Sequence, residues 1–337
     1  MQEEKTSTRE KIGHDDSIDT SESIDSPETV QEMRDFLESR ALELKPSYLK
    51  LHPTKWKHAI RTALRGKNLM FVGPSGFGKT MAVMEVRKAL KRPFHYMNLG
   101  STQDPRTTFI GTREAEDGTT YLNESSFVDI IQQENSMVLL DEISRAHPEA
   151  WNILLTVLDP KQRYMQIDEA QTKDKIHVAD GVSFLATANI GTEYTATRQM
   201  DRALEERFTI IEMDILDEEE EFDLLSKMYP SVPDEKLNTL ARIAAETRDE
   251  VQGASTNLNQ MVPTRDTVEM ASQLRDGYSM TEAINLTVYP KYSKDGGDSS
   301  PRSTVKKIVQ REVDEQDVDD ILFGRDDMKY SRRMKNS

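Results

Sequence analysis

Eight residues, Gly73-Pro74-Ser75-Gly76-Phe77-Gly78-Lys79-Thr80, constrain this chain more than any other stretch, because they fit the pattern G-x-x-x-x-G-K-[ST]. The apolar run from Asn68 to Val72 reads as a short buried strand ending in the first glycine, and Met81 to Leu90 has the apolar spacing of a helix. Strand, glycine-rich turn and helix in that order build a cradle. The glycines let the backbone turn tightly so that its N–H groups point inward, and the helix N-terminus adds positive partial charge. Such a cradle suits phosphate. Lys79 is expected to reach the β- and γ-phosphates of a nucleotide, the Thr80 hydroxyl to ligate Mg²⁺, and Gly73 through Met81 to form the binding surface.

Nucleotide chemistry also needs a carboxylate for the metal and a group that orients water. The buried-strand run Met137-Val138-Leu139-Leu140 ends in Asp141-Glu142 and supplies both. Asp141 is expected to hold Mg²⁺ through water and Glu142 to polarise the attacking water. A hydrophobic strand ending in two acids is by itself also an ordinary solvated strand end; its place about sixty residues after the phosphate loop is what gives it weight.

Around these motifs, strand and helix patterns alternate. Further strand runs are Phe94 to Asn98, Val182 to Ala188 and Phe208 to Met213, with helical spacing at Val30 to Leu44, Trp56 to Leu64, Ser126 to Gln132 and Glu149 to Leu158. That alternation argues for a parallel sheet covered by helices on both faces. After Asp217 the strand signal stops, and residues 217–229, 233–249, 264–275 and 280–287 all have helical spacing. The expected organisation is an acidic, disordered segment at 1–30, a leading helix at 31–49, an α/β nucleotide domain at 50–215, a small all-helical lid at 216–290 and a mostly disordered tail at 291–337. Residues 1–30 hold nine acids against three bases and few large apolar groups, too little to offset ordering entropy.

Composition excludes several functions. The 337 residues contain no Cys, which removes disulfides, thiolate catalysis and Cys-ligated zinc, and the six His show no ligand spacing. No apolar run approaches the roughly 18 residues of a spanning helix and no signal segment opens the chain, so a cytoplasmic protein without membrane partners is expected. The net charge of −16 repels a phosphate backbone and weighs against nucleic acid as a partner.

The ordered set of phosphate loop, Asp141-Glu142 and Phe184-Leu185-Ala186-Thr187-Ala188-Asn189 resembles the AAA+ ATPases, over about residues 50–290. Within them it is most similar to the MoxR, CbbQ and cobaltochelatase CobS-like (dynein-related) branch. Asp141-Glu142-Ile143-Ser144-Arg145-Ala146-His147-Pro148 resembles that branch's D-E-I-N-R-A-x-P run, with Ser144 in place of Asn, and Ala203-Leu204-Glu205-Glu206-Arg207-Phe208 resembles its A-x-L-D-R-F segment. The resemblance implies that Asn189 hydrogen-bonds the γ-phosphate or the attacking water. It implies that Arg207, or else Arg202 on the same segment, enters a neighbouring subunit's site as an arginine finger, and that Arg265 in Pro263-Thr264-Arg265 is the second sensor. It further implies ATP and Mg²⁺ as ligands and a homo-oligomeric ring, hexameric in the family. It also implies a client protein, in that branch often one with a von Willebrand A domain that inserts a metal or cofactor into an enzyme.

Residues 102–125 resemble the branch's insert in the second helix, although Asn123-Glu124-Ser125 stands where a G-P-L turn is frequent, and 162–183 reads as a hairpin before the first sensor strand. Arg106 and Arg113 face five acids in the first insert, which argues against a nucleic-acid motor of the same fold. A GTPase with the same loop and a nucleotide-gated scaffold remain as alternatives. Glu218 to Glu221 reads as a solvated helix N-terminus, the scattered Met as core filler, and Asp317 to Phe323 as an undirected tail or a short docking helix.

Overall fold

The computed structural model describes residues 22–116, 119–167, 175–189, 200–253 and 258–313. Three helices lead: α1 (Val30–Glu38), closed at its start by the reciprocal Thr29 and Glu32 cap, α2 (Arg40–Glu43) and α3 (Pro53–Leu64). Then follow β1 (Leu69–Val72), α4 (Lys79–Leu90), β2 (Phe94–Asn98), α5 (Pro105–Phe109), the hairpin β3 (Gly111–Glu116) and β4 (Thr119–Glu124), and α6 (Ser126–Ile131). β5 (Met137–Asp141), α7 (Pro148–Val157), the hairpin β6 (Tyr164–Gln166) and β7 (Lys175–His177), β8 (Ser183–Ala188), α8 (Arg202–Glu205) and β9 (Thr209–Glu212) complete the first part.

Five strands form one sheet in the order β2-β5-β8-β1-β9, and every pair is parallel. Alternation along each strand sends neighbouring side chains to opposite faces. Met70, Val72, Val138, Leu140, Phe184 and Ala186 therefore pack with Phe109, Phe127 and Trp151 on one face. Leu69, Phe71, Met137, Leu139 and Leu185 pack with Trp56, Ile60, Val83 and Val86 on the other. This is the parallel sheet covered on both sides that the strand and helix alternation predicts, and it explains why β1, β5 and β8 are buried along their whole length and largely apolar.

The second part is all helix: α9 (Glu218–Met228), α10 (Asp234–Gln252), α11 (Thr264–Arg275), α12 (Met280–Thr287) and α13 (Pro301–Glu312), sharing a core that includes Leu225, Leu240, Ile243, Met270, Ile284 and Val305. Three expectations need correction. Residues 291–313 are not a structureless tail: Val305, Ile308 and Val309 fall on one helical face and are buried, and Arg311 reaches Glu246 of α10 at 2.6 Å. Gly296-Gly297 and Ser299-Ser300-Pro301 hid that spacing by breaking the chain before it. The acidic stretch at 317–323 lies outside the described residues.

The acidic N-terminal segment is likewise packed where it is described. Arg92 is 1% exposed and donates to Ala63 O at 3.1 Å and to Ser26 Oγ at 2.7 Å, while Ile24 N–H bonds Leu90 O at 2.9 Å. A buried guanidinium needs acceptors, and the segment supplies two of them, Ser26 Oγ and Ile24 O, beside Ala63 O of α3. Residues 1–21 lie outside the description. Finally, Glu218, Glu219 and Glu220 are exposed, but Glu221 is wholly buried, because it shares the inward face of α9 with Leu224 and Leu225. No helix among the described residues is long and apolar enough to cross a membrane.

Candidate functional site

Parallel strands bring all their C-terminal ends to one edge of the sheet. At that edge β1 runs into the phosphate loop, β5 delivers Asp141 and Glu142, and β8 delivers Asn189. Gly73, Gly76 and Gly78 have φ of 148°, 86° and 82°, conformations that a side chain resists. A Cβ on Gly76 would also sit 2.7 Å from Pro263 Cβ, so glycine here lets the helical part close directly on the loop. Arg265 N–H, in the first turn of α11, donates to Gly76 O at 3.0 Å.

A cavity of about 290 Å³ lies between the two parts. Ser75, Gly76, Gly78, Lys79, Thr80 and Met81 of the loop, Asp141, Glu142 and Asn189 of the strand ends, and Arg265 of α11 all line it. Most of the expected site residues are thus brought together; Gly73, Pro74, Phe77 and the two candidate arginine fingers are not in the lining. Pro74 and Phe77 lie behind the loop and line a second cavity of about 380 Å³ that shares Ser75, Gly76 and Arg265 with the first.

Asp141 is held by three hydroxyls. Thr80 Oγ1 donates to its Oδ1 at 3.0 Å, Thr187 Oγ1 donates to the same oxygen, and Tyr96 OH donates to Oδ2 at 3.0 Å. No described cation pairs with it. Hydroxyl and carboxylate oxygens so placed are the hard donors Mg²⁺ takes, and the loop beside them is open for phosphates, so the residues present fit that ion. Glu142 leaves β5 in a left-handed conformation, φ 55°, and its N–H donates to Thr187 Oγ1 at 3.0 Å. Its carboxylate pairs with Arg145 at 3.2 Å and lies where a Cβ on Gly100 would meet it at 2.4 Å.

Lys79 is 8% exposed and donates to Gly73 O at 3.0 Å and Pro74 O at 2.6 Å. Burial, with Arg265 adding repulsion, lowers its pKa to about 8, against the pull of Asp141 and Glu142. Asn189 donates its backbone N–H to Ser144 Oγ at 3.3 Å, so Ser144 holds the residue just after the end of β8. The Tyr96 hydroxyl is pushed up first by burial and then by Asp141.

Arg207 sits at the opposite edge of the sheet, just before β9. Its Nε donates to Leu155 O at 2.8 Å, its Nη2 pairs with Asp159 at 3.1 Å and its Nη1 donates to Ala203 O. The acid it uses is Asp159, whereas the neighbouring Glu206 pairs with Arg202 at 3.1 Å. The Arg202 side chain is 89% exposed. Neither arginine is among the residues that line the cavity.

Sequence reasoning missed Tyr96, and nothing local could have found it. Its partner Asp141 is 45 residues away and the two meet only because β2 lies beside β5. It also passed over Thr187, although that residue stands in the very run that ends in Asn189.

Residues 68–208 match the profile of the AAA domain, dynein-related subfamily. "Putative chaperone BssE" of Thauera aromatica is 32% identical over 219 residues, covering 64% of this chain and 72% of that protein. An uncharacterized protein of Staphylococcus saprophyticus is 28% identical over 175 residues, covering 51% of this chain and 64% of its own. Among solved structures, a RuvB mutant of Thermotoga maritima aligns with a TM-score of 0.46 at 14% identity, over 77% of this chain and 68% of that one. With the phosphate loop, the five-stranded parallel sheet and the helical part in place, the chain belongs to the AAA+ family, as a member with an AAA domain of the dynein-related subfamily.

Proposed function

We propose that this protein hydrolyses ATP with Mg²⁺ at the cavity between sheet and helical part, in a ring whose neighbouring subunit completes each site. The observation that supports this best is the convergence of Lys79, Thr80, Asp141, Glu142, Asn189 and Arg265 on one cavity. Thr80 and Asp141 would hold Mg²⁺, which when bound neutralises charge between the β- and γ-phosphates. Lys79 leaves the Gly73 and Pro74 carbonyls for the phosphates, an exchange of neutral acceptors for charged ones. Glu142 orients the attacking water once its carboxylate parts from Arg145. Asn189 steadies the water or the γ-phosphate, and Arg265 follows the γ-phosphate as the second sensor.

The arginine that enters from the neighbour is Arg207, anchored at the far edge of the sheet, or Arg202, exposed and paired with Glu206. An arginine at that edge requires a second copy of the chain, and the family's ring, commonly of six, provides it. The work done would be remodelling of a client protein. Likeness to a protein named a chaperone supports that, as does the likeness of 141–148 to the MoxR and CobS-like run. Metal or cofactor insertion through a client with a von Willebrand A domain is the branch's version of it.

ATP hydrolysis measured against protein concentration, with GTP in parallel, tests the reading on the wild type, Glu142→Gln, Arg207→Ala and Arg202→Ala. Specific activity should rise with concentration. Glu142→Gln should lose about a hundredfold or more in kcat while still binding ATP, and one of the two arginine variants should lose about a thousandfold. Activity independent of concentration and of both arginines would leave a monomeric switch or a scaffold.

A further inference from the structure

Inside the helical part lies an ion pair that the site as described does not use. Glu221 is wholly buried and Arg248 is 2% exposed, with Nη1 to Oε2 at 3.0 Å. Two buried charges cost desolvation that apolar packing would avoid, so such a pair needs a reason for its position. Arg248 Nη1 also donates to Leu216 O at 2.7 Å, in the connection leaving the sheet, and Nε donates to Val262 O at 3.3 Å, in the turn before α11. Its Nη2 reaches Thr264 Oγ1 at 3.4 Å. Glu221 accepts from Thr264 at 2.9 Å and from Thr267, both in the first turn of α11. Every member of the cluster therefore ties α9 and α10 to the start of α11, and the residue after Thr264 is Arg265.

The cluster has a second arm. The guanidinium carbon of Arg248 lies 5.2 Å from the ring centre of Phe77, the fifth residue of the phosphate loop, which is 5% exposed. Beside it, Gly76 O receives the Arg265 N–H and Gly76 leaves no room for a Cβ against Pro263. One guanidinium thus touches the loop, the connection between the parts, and the helix that carries Arg265.

We propose that Glu221 and Arg248 are positioning residues that mount Arg265 against the phosphate loop, so that occupation of the loop is felt by the helical part through Phe77 and this buried pair. The proposal rests on the reading above that nucleotide binds this loop and that Arg265 faces its γ-phosphate. Neutralising Glu221 loosens the first turn of α11 without touching the loop. Shortening Phe77 cuts the loop arm, its contact with Arg248, and removes none of the hydrogen bonds between Glu221 and Arg248. Both should give the same defect.

Because the chain has no Cys, thiols introduced at Gln133 and Leu286, both exposed and on the two different parts, can carry spin labels without background. The full-length protein is labelled as wild type, Glu221→Gln and Phe77→Leu, and the inter-label distances are measured with and without the β,γ-imido analogue of ATP. Binding of the analogue is followed by calorimetry. In the wild type the analogue should narrow the distance distribution. In both variants it should leave the distribution broad, with kcat down about tenfold, and Glu221→Gln, which lies outside the loop, should bind it within about threefold of wild type. Adding either variant to Arg265→Ala should cause no further loss, because the residues act through it. Melting temperatures separate misfolding of Glu221→Gln from loosening, and Phe77→Leu tests the idea even if that variant fails to fold. Wild-type binding with narrow distributions in both variants, or losses that multiply with Arg265→Ala, would overturn the inference alone. Failure of the wild type to bind the analogue would overturn the reading of the site, and the inference with it.

Discussion

Two buried carboxylates, Asp141 and Glu221, accept hydroxyl groups from threonines and differ in what stands opposite. Asp141 takes Thr80, Thr187 and Tyr96 and has no described ion-pair partner, at the rim of an open cavity. Glu221 takes Thr264 and Thr267 and has Arg248 against it, sealed from solvent. The first is a carboxylate arranged by the fold and left in want of a cation. The second carries its cation within the chain. Polar networks alone do not mark a site; an arranged carboxylate lacking a counter-ion, beside a phosphate cradle, is the informative case.

The sharpest break of the comparison is to remove each charge in turn. Asp141→Asn should cost about a hundredfold to a thousandfold in ATP hydrolysis, measured at saturating Mg²⁺, while the melting temperature stays near wild type. Arg248→Met should do the reverse in kind: about 3–5 kcal/mol of stability lost in denaturant unfolding, because Glu221 is left charged and buried. Equal stability losses in the two variants would erase the distinction.

A smaller effect follows from Lys79. Its pKa of about 8 in the folded chain lies below the ordinary 10.5. Between those values the unfolded state binds more protons than the folded one, so this residue makes stability rise as pH climbs from about 8 to 10.5. Lys79→Met should be more stable than wild type at pH 7 and should lack that rise. Phosphate needs the charged form, so ATP affinity should fall above about pH 8. An affinity flat to pH 10 would place the lysine elsewhere. The smallest effect belongs to Tyr96→Phe, which takes one donor from Asp141. About 1 kcal/mol, read as a fewfold rise in the Mg²⁺ concentration for half-maximal hydrolysis, is expected with kcat little changed.

Much of this was legible in the chain. The phosphate loop announces itself because a tight backbone turn around phosphate demands glycines at fixed spacing, and Lys79 and Thr80 follow within the same turn of chain. The three central strands were legible because each is a largely apolar run, and Asp141 and Asn189 because each ends such a run. α13 was harder: its three buried residues are few and its neighbours are Gly, Ser and charged groups, although Ser300 caps it and Pro301 opens it. Glu221 stood in a row of four glutamates that composition cannot separate.

The sequence by itself determined the local chemistry: the cradle, the carboxylates at strand ends, the order of sheet part and helical part, and the arginines available to them. Periodicity and turn chemistry act over a few residues, which is why they can be read from a single chain. The tertiary structure alone decided which side chains meet. Tyr96 reaches Asp141 because β2 lies beside β5, Arg207 is turned to the edge away from the loop, and Arg248 links Phe77 to Glu221 across 171 and 27 residues of chain. Such meetings depend on strand order and on helices docking face to face. No local signal encodes them, because their free energy comes from burial and pairing that exist only once distant segments have packed.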